Sequence, residues 1–277
     1  FSNPNPEAFR DAKAGRVWSR FMFGSDTSEL IVKPYVRYTE MEYLQHFLPG
    51  APLEENGQKS FGLQMYTSGN LSNMVSFSVG VDAEFTRAYL KQTQFAETTG
   101  SAFLQATVPV GRHYDYTVDA KQIAPFFQIR TDITEAISVA VGTRYEEMNY
   151  DYKNRMLSGR SRDDGTICGF GGCRYSRPES GVNSYYNNSV DLNLSYSIDD
   201  SLLLYARVAD SFRAPQGAEI YRLQREQETA DLVSEESNSF ELGIKGRLSS
   251  TTYNLAMYSM DKKNIIFRDS NFYNVSG

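Results

Sequence analysis

The stretch from Val75 to Phe85, VSFSVGVDAEF, decides the fold class. Its odd positions are apolar, whereas its even positions are small, polar or acidic. A period of two is the pattern of a β-strand with one apolar and one polar face, since an amphipathic helix repeats every 3.6 residues. The same alternation recurs along the chain, at Leu30–Tyr38, Ile137–Tyr145, Val190–Ile198 and Phe240–Leu248. We therefore expect about ten strands of this kind.

The connections between these segments separate a membrane barrel from a soluble β-sandwich, which would also alternate. Tight turns are predicted near Ser25 to Ser28, Gly69-Asn70, Thr131 to Thr134, Asp199-Asp200 and Ser249-Ser250. Between them lie long polar stretches, at 41–58, 87–113, 155–187 and 212–235. Short turns at one end and long loops at the other are typical of outer-membrane barrels. The predicted fold is therefore all-β: an antiparallel transmembrane β-barrel.

The charged residues support a barrel with an apolar outer face and a polar lumen. The alternation places most of them together on the face opposite the apolar residues. The residues expected to point into the lumen are Lys33, Arg37, Asp82, Glu84, Arg144, Glu146, Asp191, Arg207, Glu241, Lys245 and Arg247. An Arg or Lys on the lipid face near the bilayer midplane would cost about 2–4 kcal/mol. Tyr145 would lie in the aromatic girdle at the edge of the apolar band.

Composition excludes several other classes of protein. The formal net charge of -6 disfavours a nucleic-acid partner, which needs clustered Lys and Arg to neutralise phosphates. No apolar run approaches the roughly 18 residues of a membrane-spanning helix. We find no P-loop and no dinucleotide-binding glycine pattern. No cofactor is expected.

Cys168 and Cys173 are the only cysteines, and a glycine-rich segment separates them. A local disulfide is expected outside the cytoplasm, with two free thiols as the alternative. The two histidines, His46 and His113, are far from the cysteines and from each other, so zinc binding is disfavoured. Both are expected to be solvated residues at loop boundaries. A hydrolytic site built on either is disfavoured too, and the protein is expected not to be an enzyme.

The ends of the chain suggest a piece of a larger barrel. The first residues read as the end of a loop, and residues 274–277 follow a strand that rises outward. Because an unpaired strand edge in lipid leaves backbone groups unsatisfied, further strands are expected to close the barrel.

Residues 202–277 resemble TonB-dependent outer-membrane receptors, which import iron chelates and related nutrients. The resemblance rests on LYAR at 204–207, SFRAP at 211–215, EIY at 219–221, EES at 235–237 and FELGIKG at 240–246. Residues 122–145 are similar to the paired strands that precede this region in the family, and the earlier part matches by pattern only. The segment at 231–235 departs from the family pattern and leaves the subfamily open.

The resemblance implies a barrel of about 22 strands with an N-terminal plug inside it. Residues 1–277 would then belong to the barrel domain alone, in the bacterial outer membrane, without the plug and the C-terminal strands. The implied function is TonB-energised uptake of a scarce ligand, foremost a ferric siderophore. The implied partners are the TonB complex of the inner membrane, reached through the plug, and outer-membrane lipid. A passive porin, or a receptor for oligosaccharide, haem or cobalamin, remains the alternative.

Candidate ligand-binding residues follow from the same placement. They are Arg144, Arg213, Tyr221, Arg222 and Arg225. Arg offers paired donors to an anionic chelate, and Tyr offers a stacking surface. Two structural interpretations stand beside this one. Arg213 at a strand exit could tie the rim to neighbouring carboxylates, and residues 221–225 could belong to a short loop helix.

Overall fold

The structure is a computed structural model, and it describes residues 5–24, 28–46 and 48–277. The strands and helices are β1 (Arg10–Trp18), β2 (Phe21–Gly24), β3 (Ser28–Leu44), β4 (Leu53–Ser72), β5 (Val75–Gln94), α1 (Ala102–Thr107), β6 (Gly111–Asp132), β7 (Ile137–Asn154), β8 (Tyr175–Ser176), β9 (Gly181–Asp199), β10 (Leu202–Arg213), α2 (Gly217–Tyr221), β11 (Leu223–Gln224), β12 (Glu235–Leu248), β13 (Thr251–Lys263), β14 (Ile266–Arg268) and β15 (Asn274–Ser276).

One antiparallel sheet of eleven strands dominates the structure. Its order is β1-β3-β4-β5-β6-β7-β9-β10-β12-β13, and β2 continues the edge by pairing with β3. Two small two-stranded sheets, β8 with β11 and β14 with β15, lie in the loops. Among the described residues, β13 pairs only with β12, so the sheet is open here. The predicted all-β antiparallel barrel architecture is confirmed.

The two faces of the sheet differ as the alternation predicts. We call the face that carries Phe61, Val79, Leu192, Val208 and Phe240 the outer face, and each of these side chains is exposed. The opposite face, which the long loops cover, is the inner face. The outer apolar residues of β5, from Val75 to Phe85, span about 33 Å of strand, or about 25 Å of height at a tilt near 40°. This matches the apolar band of a membrane barrel.

Loop lengths alternate as predicted, but several boundaries differ. The strands continue into the predicted long stretches, so the loops shrink to 45–52, 95–110, 155–180 and 214–234. These strand ends are mostly polar on the outer face, which we read as loop, yet they are paired with their neighbours. A strand that projects beyond lipid into water tolerates polar residues on its outer face.

Two tight turns are also displaced from the predicted positions. The turn expected at Gly69-Asn70 lies at 73–74, because both residues remain paired with β5 and the Ser72 side chain accepts the Met74 N–H. The turn expected at Thr131 to Thr134 lies at 133–136. The predicted turn at Ser25 to Ser28 falls largely outside the described residues, and β3 begins at Ser28.

The buried core lies between the long loops and the upper inner face, not within the membrane band. Tyrosines of β6 and β7 pack there against the loop segments. The members of this core are Leu90, Tyr114, Tyr116, Val118, Tyr152, Cys168, Cys173, Tyr175, Ile220, Tyr221, Leu223, Ala230 and Leu232. The loops are therefore folded inward and held by their own apolar contacts.

Within the described ranges, no helix has the length and apolarity needed to cross a membrane.

Candidate functional site

A cavity of about 610 Å³ lies against the inner face within the membrane band. Its walls combine cations, carboxylates and two aromatic rings. The lining side chains that bear on its chemistry are Lys33, Tyr66, Asp82, Phe126, Arg144, Asp191 and Arg207. Because they come from seven different strands, only the assembled sheet brings them together.

The charged side chains of this wall are held in pairs. Arg144 of β7 reaches past β6 to Asp82 of β5, with 2.6 Å between Nη1 and Oδ2, and its Nη2 lies 3.7 Å from Glu146. Arg207 Nε lies 2.6 Å from Asp191 on the neighbouring strand. Pairing neutralises these groups inside the barrel while leaving them partly exposed toward the lumen. Such charges can exchange partners with an incoming polar ligand at modest cost.

The aromatic part of the wall depends on Gly80. A Cβ at this position would lie 2.7 Å from the Phe126 ring and 2.5 Å from Tyr66 Cβ, so a side chain would displace both. The two rings lie 6.5 Å apart, and Lys33 Nζ lies 5.3 Å from the Tyr66 ring centroid. In the part of the chain that the structure describes, Lys33 has no carboxylate partner. The wall thus offers an aromatic surface beside one uncompensated cation.

Arg213 ends β10 and ties the 214–234 loop to the barrel rim. Its guanidinium forms a bidentate pair with Glu219 at 3.0 and 3.1 Å, and its Nε donates to Glu235 at 2.7 Å. Glu219 also accepts the backbone N–H of Gln216, closing a capping box at the start of α2. Of the two interpretations of Arg213, this geometry corresponds to the structural one.

Tyr221 ends α2 and lies in the core, with its ring stacked on Tyr152 at 4.1 Å and an interplanar angle of 9°. Its hydroxyl donates to Asn183 at 2.8 Å. Burial raises the pKa of the Tyr221 hydroxyl, so it stays a neutral donor. The residue therefore docks the loop on the inner face of β7.

Arg222 continues this docking across the sheet. Its Nη2 lies 2.9 Å from Glu54 of β4 and 3.0 Å from the Gln45 side-chain oxygen, which also accepts from Gln92. Burial disfavours its charge, but Glu54 and nearby tyrosines outweigh that effect, so the pKa of Arg222 is raised. A charged side chain from the 214–234 loop, which follows β10, thus binds the inner face of the sheet at β4.

Arg225 contacts other loop residues and does not line the inner-wall cavity. Its guanidinium carbon lies 4.3 Å from the Phe272 ring centroid, and its backbone N–H donates to Arg174 at 2.7 Å. Of the five candidate ligand residues, only Arg144 lines the inner-wall cavity. The structure brings the other four together as contacts of the 214–234 loop.

The 155–180 loop carries the disulfide Cys168–Cys173 and the buried Arg177. Arg177 donates to the carbonyls of Leu157, His113 and Ser161, at distances between 2.6 and 3.2 Å. Loop 95–110 joins this layer, since its Thr107 carbonyl accepts from Arg174. The extracellular-type loops therefore form one packed layer.

His113 is buried, which contradicts the expectation of a solvated histidine. Its Nε2 donates to the Pro109 carbonyl at 2.8 Å, and its ring stacks on Tyr175 at 4.3 Å. It lies well above the apolar band, and burial lowers its pKa to about 4. His46 lies in the 45–52 loop, as predicted. Across residues 5–24, 28–46 and 48–277, no group of His, Cys, Asp and Glu could hold a metal ion.

Sequence reasoning missed the polar network of Gln45, Glu54 and Gln92 and the aromatic wall at Phe126. Phe126 and Phe127 are adjacent aromatics, and nothing in the sequence alone shows which of them points inward. Glu54 and Gln92 fall in stretches we predicted as loops. The tyrosines at 114, 116, 150 and 152 do alternate, and that signal could have predicted the loop-docking surface.

A sheet that is apolar outside and polar inside, with long loops at one end only, defines a large antiparallel membrane β-barrel. The model of the family described as TonB dependent receptor-like, beta-barrel matches residues 5–277. The chain therefore belongs to that family. The match extends well beyond the segments that carry the sequence resemblance.

Several solved structures have a similar fold. The copper transporter OprC is 12% identical with a TM-score of 0.71, and the alignment covers 93% of this chain and 40% of that one. The ferric yersiniabactin uptake receptor FyuA from Yersinia pestis is 13% identical with a TM-score of 0.71, covering 97% and 38%. The ferric-catecholate import receptor Fiu from K12 E. coli is 13% identical with a TM-score of 0.65, covering 98% and 44%.

These likenesses show the fold alone, and the chain spans about two fifths of the length of the structures it matches. No curated protein sequence matches it.

Proposed function

We propose that this chain is barrel-domain sequence of a bacterial outer-membrane receptor that imports a scarce ligand, with energy delivered by the TonB complex. Residues 1–277 are assigned to the barrel, and the plug that contacts TonB is assigned to another part of the full receptor. Family membership supports the transport class. The ligand that we propose is a ferric siderophore.

The observation that carries this proposal is the cavity on the inner wall beneath a packed loop layer. The loops at one end fold inward, as expected of a surface that captures ligand from outside. Below them, the wall presents exchangeable ion pairs and an aromatic patch rather than a continuous apolar surface. A ligand released from the loops would meet polar partners along the route inward.

We assign ligand contact to Arg144, with Lys33 and Arg207 beside it in the same cavity. Guanidinium and ammonium groups bind the oxygens of an anionic chelate, and the Tyr66 and Phe126 rings provide a surface for flat organic parts. Arg213, Tyr221, Arg222 and Arg225 are assigned to positioning the 214–234 loop, because none of them lines this cavity and each holds the loop in place through its contacts.

A ferric chelate suits this wall better than the other ligand classes. Neither described histidine lines the cavity, so a histidine-ligated haem has no ligand there. FyuA and Fiu, which share the fold, are receptors for ferric chelates by name, although OprC is a copper transporter. The mixed cation and carboxylate wall also suits an oligosaccharide, so the experiment must distinguish uptake of a ferric chelate from uptake of an oligosaccharide.

The test is uptake of a ⁵⁵Fe-labelled tris-catecholate siderophore by cells that express the full-length receptor. Replacing Arg144 and Arg207 with Gln is expected to lower uptake about tenfold or more, from the loss of charge-assisted hydrogen bonds. The matched control is Lys153→Gln, on the outer face of β7 with a 61% exposed side chain, which should leave uptake unchanged. Equal uptake by the wild type and all variants would refute the assignment of Arg144 and Arg207 as ligand contacts.

Energy dependence separates a receptor from a passive pore. Uptake is expected to stop in a strain that lacks TonB and when a protonophore collapses the proton gradient. If uptake persists under both conditions, or if the purified full receptor conducts steadily in planar bilayers, the chain belongs to a passive channel. Saturable uptake of labelled oligosaccharide without iron uptake would favour a glycan receptor.

A further inference from the structure

The outer face carries a second cavity, a groove of about 660 Å³ across β1, β3, β4 and β5. Its floor is apolar, formed by Val17, Val36, Phe61 and Phe85. Tyr38, Lys59 and Arg87 stand along its upper end, one residue row closer to the loops. We call this feature the outer groove. Nothing in the uptake route uses it, because it faces away from the lumen.

Two cations at the upper end of the outer groove lie directly opposite each other on neighbouring strands, which is an unfavourable arrangement in a sheet. Lys59 and Arg87 are direct cross-strand partners, and like charges directly opposite each other destabilise a sheet. Arg87 is compensated by Asp119, at 2.7 Å, but no carboxylate of the described chain pairs with Lys59. A third cation, Lys121, lies directly opposite Phe85. The other outer-face carboxylates nearby are Asp151, which pairs with Lys153, and Glu40, which accepts from the Tyr38 hydroxyl. Among the described residues Lys59 and Lys121 therefore form no ion pair, which leaves room for an external anion.

The outer groove lies at the boundary of the apolar band. On β5 the outer-face residues are apolar from Val75 through Phe85, and Arg87 is the first charged one. The floor therefore faces acyl chains, whereas the cations face the headgroup layer on the side of the long loops. A single molecule that fills both parts needs an apolar chain and an anionic head.

We propose that the outer groove binds a phosphorylated lipid, with an acyl chain along Val36, Phe61 and Phe85 and the phosphate between Lys59 and Arg87. A phosphate between these cations relieves their mutual repulsion and accepts charge-assisted hydrogen bonds from both. The Tyr38 hydroxyl lies at the same level, where tyrosines occupy membrane interfaces. The inference rests on the proposed membrane location but not on the identity of the transported ligand.

The test compares lipid retention by the purified full receptor in detergent, measured by native mass spectrometry. The probes are dioleoyl phosphatidic acid and dioleoylglycerol, which share acyl chains but differ in the phosphate. The wild type is expected to retain phosphatidic acid preferentially, and the double variant Lys59→Gln/Arg87→Gln to retain about tenfold less. Lys153→Gln, an outer-face cation on β7 that does not line the groove, should retain lipid like the wild type.

A second variant tests the apolar part of the site. Gly15 lines the outer groove, and a Cβ there would have only the Tyr38 ring nearby, at 3.7 Å. Gly15→Phe should fill the groove and lower retention of phosphatidic acid without altering the cations. Heat-dependent gel mobility checks that every variant is a folded barrel. Equal retention of the two lipids by the wild type, or of phosphatidic acid by wild type and double variant, overturns the proposal.

Siderophore uptake by the Lys59→Gln/Arg87→Gln variant separates the two proposals. It should remain at the wild-type level, because these side chains face lipid and not the lumen. If the wild type retains phosphatidic acid but takes up no siderophore, the proposed transported ligand is refuted and the lipid site is not.

Discussion

The ion pair between Arg222 and Glu54 fastens the 214–234 loop to β4 on the inner wall, and it provides a quantitative test. Glu54→Gln keeps the shape of the side chain and removes its charge. The Glu54 side chain is 3% exposed and that of Arg222 is 22% exposed. Breaking a buried pair costs about 3–5 kcal/mol, and the partial exposure of Arg222 reduces this to about 2 kcal/mol.

Loop release costs less than unfolding the barrel, so this free energy should appear as local opening. About 2 kcal/mol corresponds to a roughly thirtyfold larger opening equilibrium. The measurement is amide hydrogen exchange by mass spectrometry on the full receptor. Peptides covering α2 and β11 should exchange roughly thirtyfold faster in Glu54→Gln, while peptides of the membrane strands should not change.

The adjacent residue provides the control. Glu55 points to the outer face, where it pairs with Lys91 at 2.7 Å, and both side chains are more than a third exposed. Glu55→Gln should cost less than about 0.5 kcal/mol and leave exchange in α2 unchanged. Adding Arg222→Gln to Glu54→Gln should recover part of the protection, since no unpaired charge remains. Unchanged exchange in Glu54→Gln, or the same effect from Glu55→Gln, would refute the assigned role of Arg222.

Three further predictions concern the loop layer. Replacing Cys168 and Cys173 with Ser should destabilise the 155–180 loop by about 2 kcal/mol through lost chain restraint, measured as faster limited proteolysis of that loop, with equal cleavage rates counting against it. Burial holds the folded pKa of His113 near 4, below the usual 6.5, so its contribution to loop packing is complete above pH 6.5 and is lost as pH falls toward 4. Hydrogen exchange of the 155–180 loop, corrected for intrinsic rates, should be faster at pH 5 than at pH 7.5. His113→Phe should reduce this difference between the two pH values. An undiminished difference in His113→Phe would contradict the role of the histidine. Arg213→Lys retains the charge but loses the guanidinium hydrogen bonds that reach both Glu219 and Glu235. The free energy of local opening of α2, measured by hydrogen exchange, should therefore fall by about 1–2 kcal/mol. Unchanged exchange in Arg213→Lys would show that the positive charge alone is sufficient.

The sequence alone determined the sheet and its two faces. The period of two at 75–85 and its repeats require strands with one apolar face, whatever their neighbours are. The same alternation correctly separated the lumenal charges, such as Asp82 and Arg144, from the outer apolar residues. Turn chemistry set the short connection at Ser249-Ser250, but the Gly-Asn pair at 69–70 was misleading, because register and not local composition decided where that hairpin turned.

The tertiary structure decided which residues meet and where each strand ends. The strand ends above lipid are mostly polar on their outer face, so the apolar-out pattern of the membrane band stops there, and pairing with neighbouring strands shows that they are not loops. His113 became buried because the 155–180 loop covers it, and Arg222 found Glu54 far away in the sequence because the 214–234 loop folds inward. Such contacts depend on loop packing and strand register, which arise from the whole assembled sheet and leave no period in the local sequence.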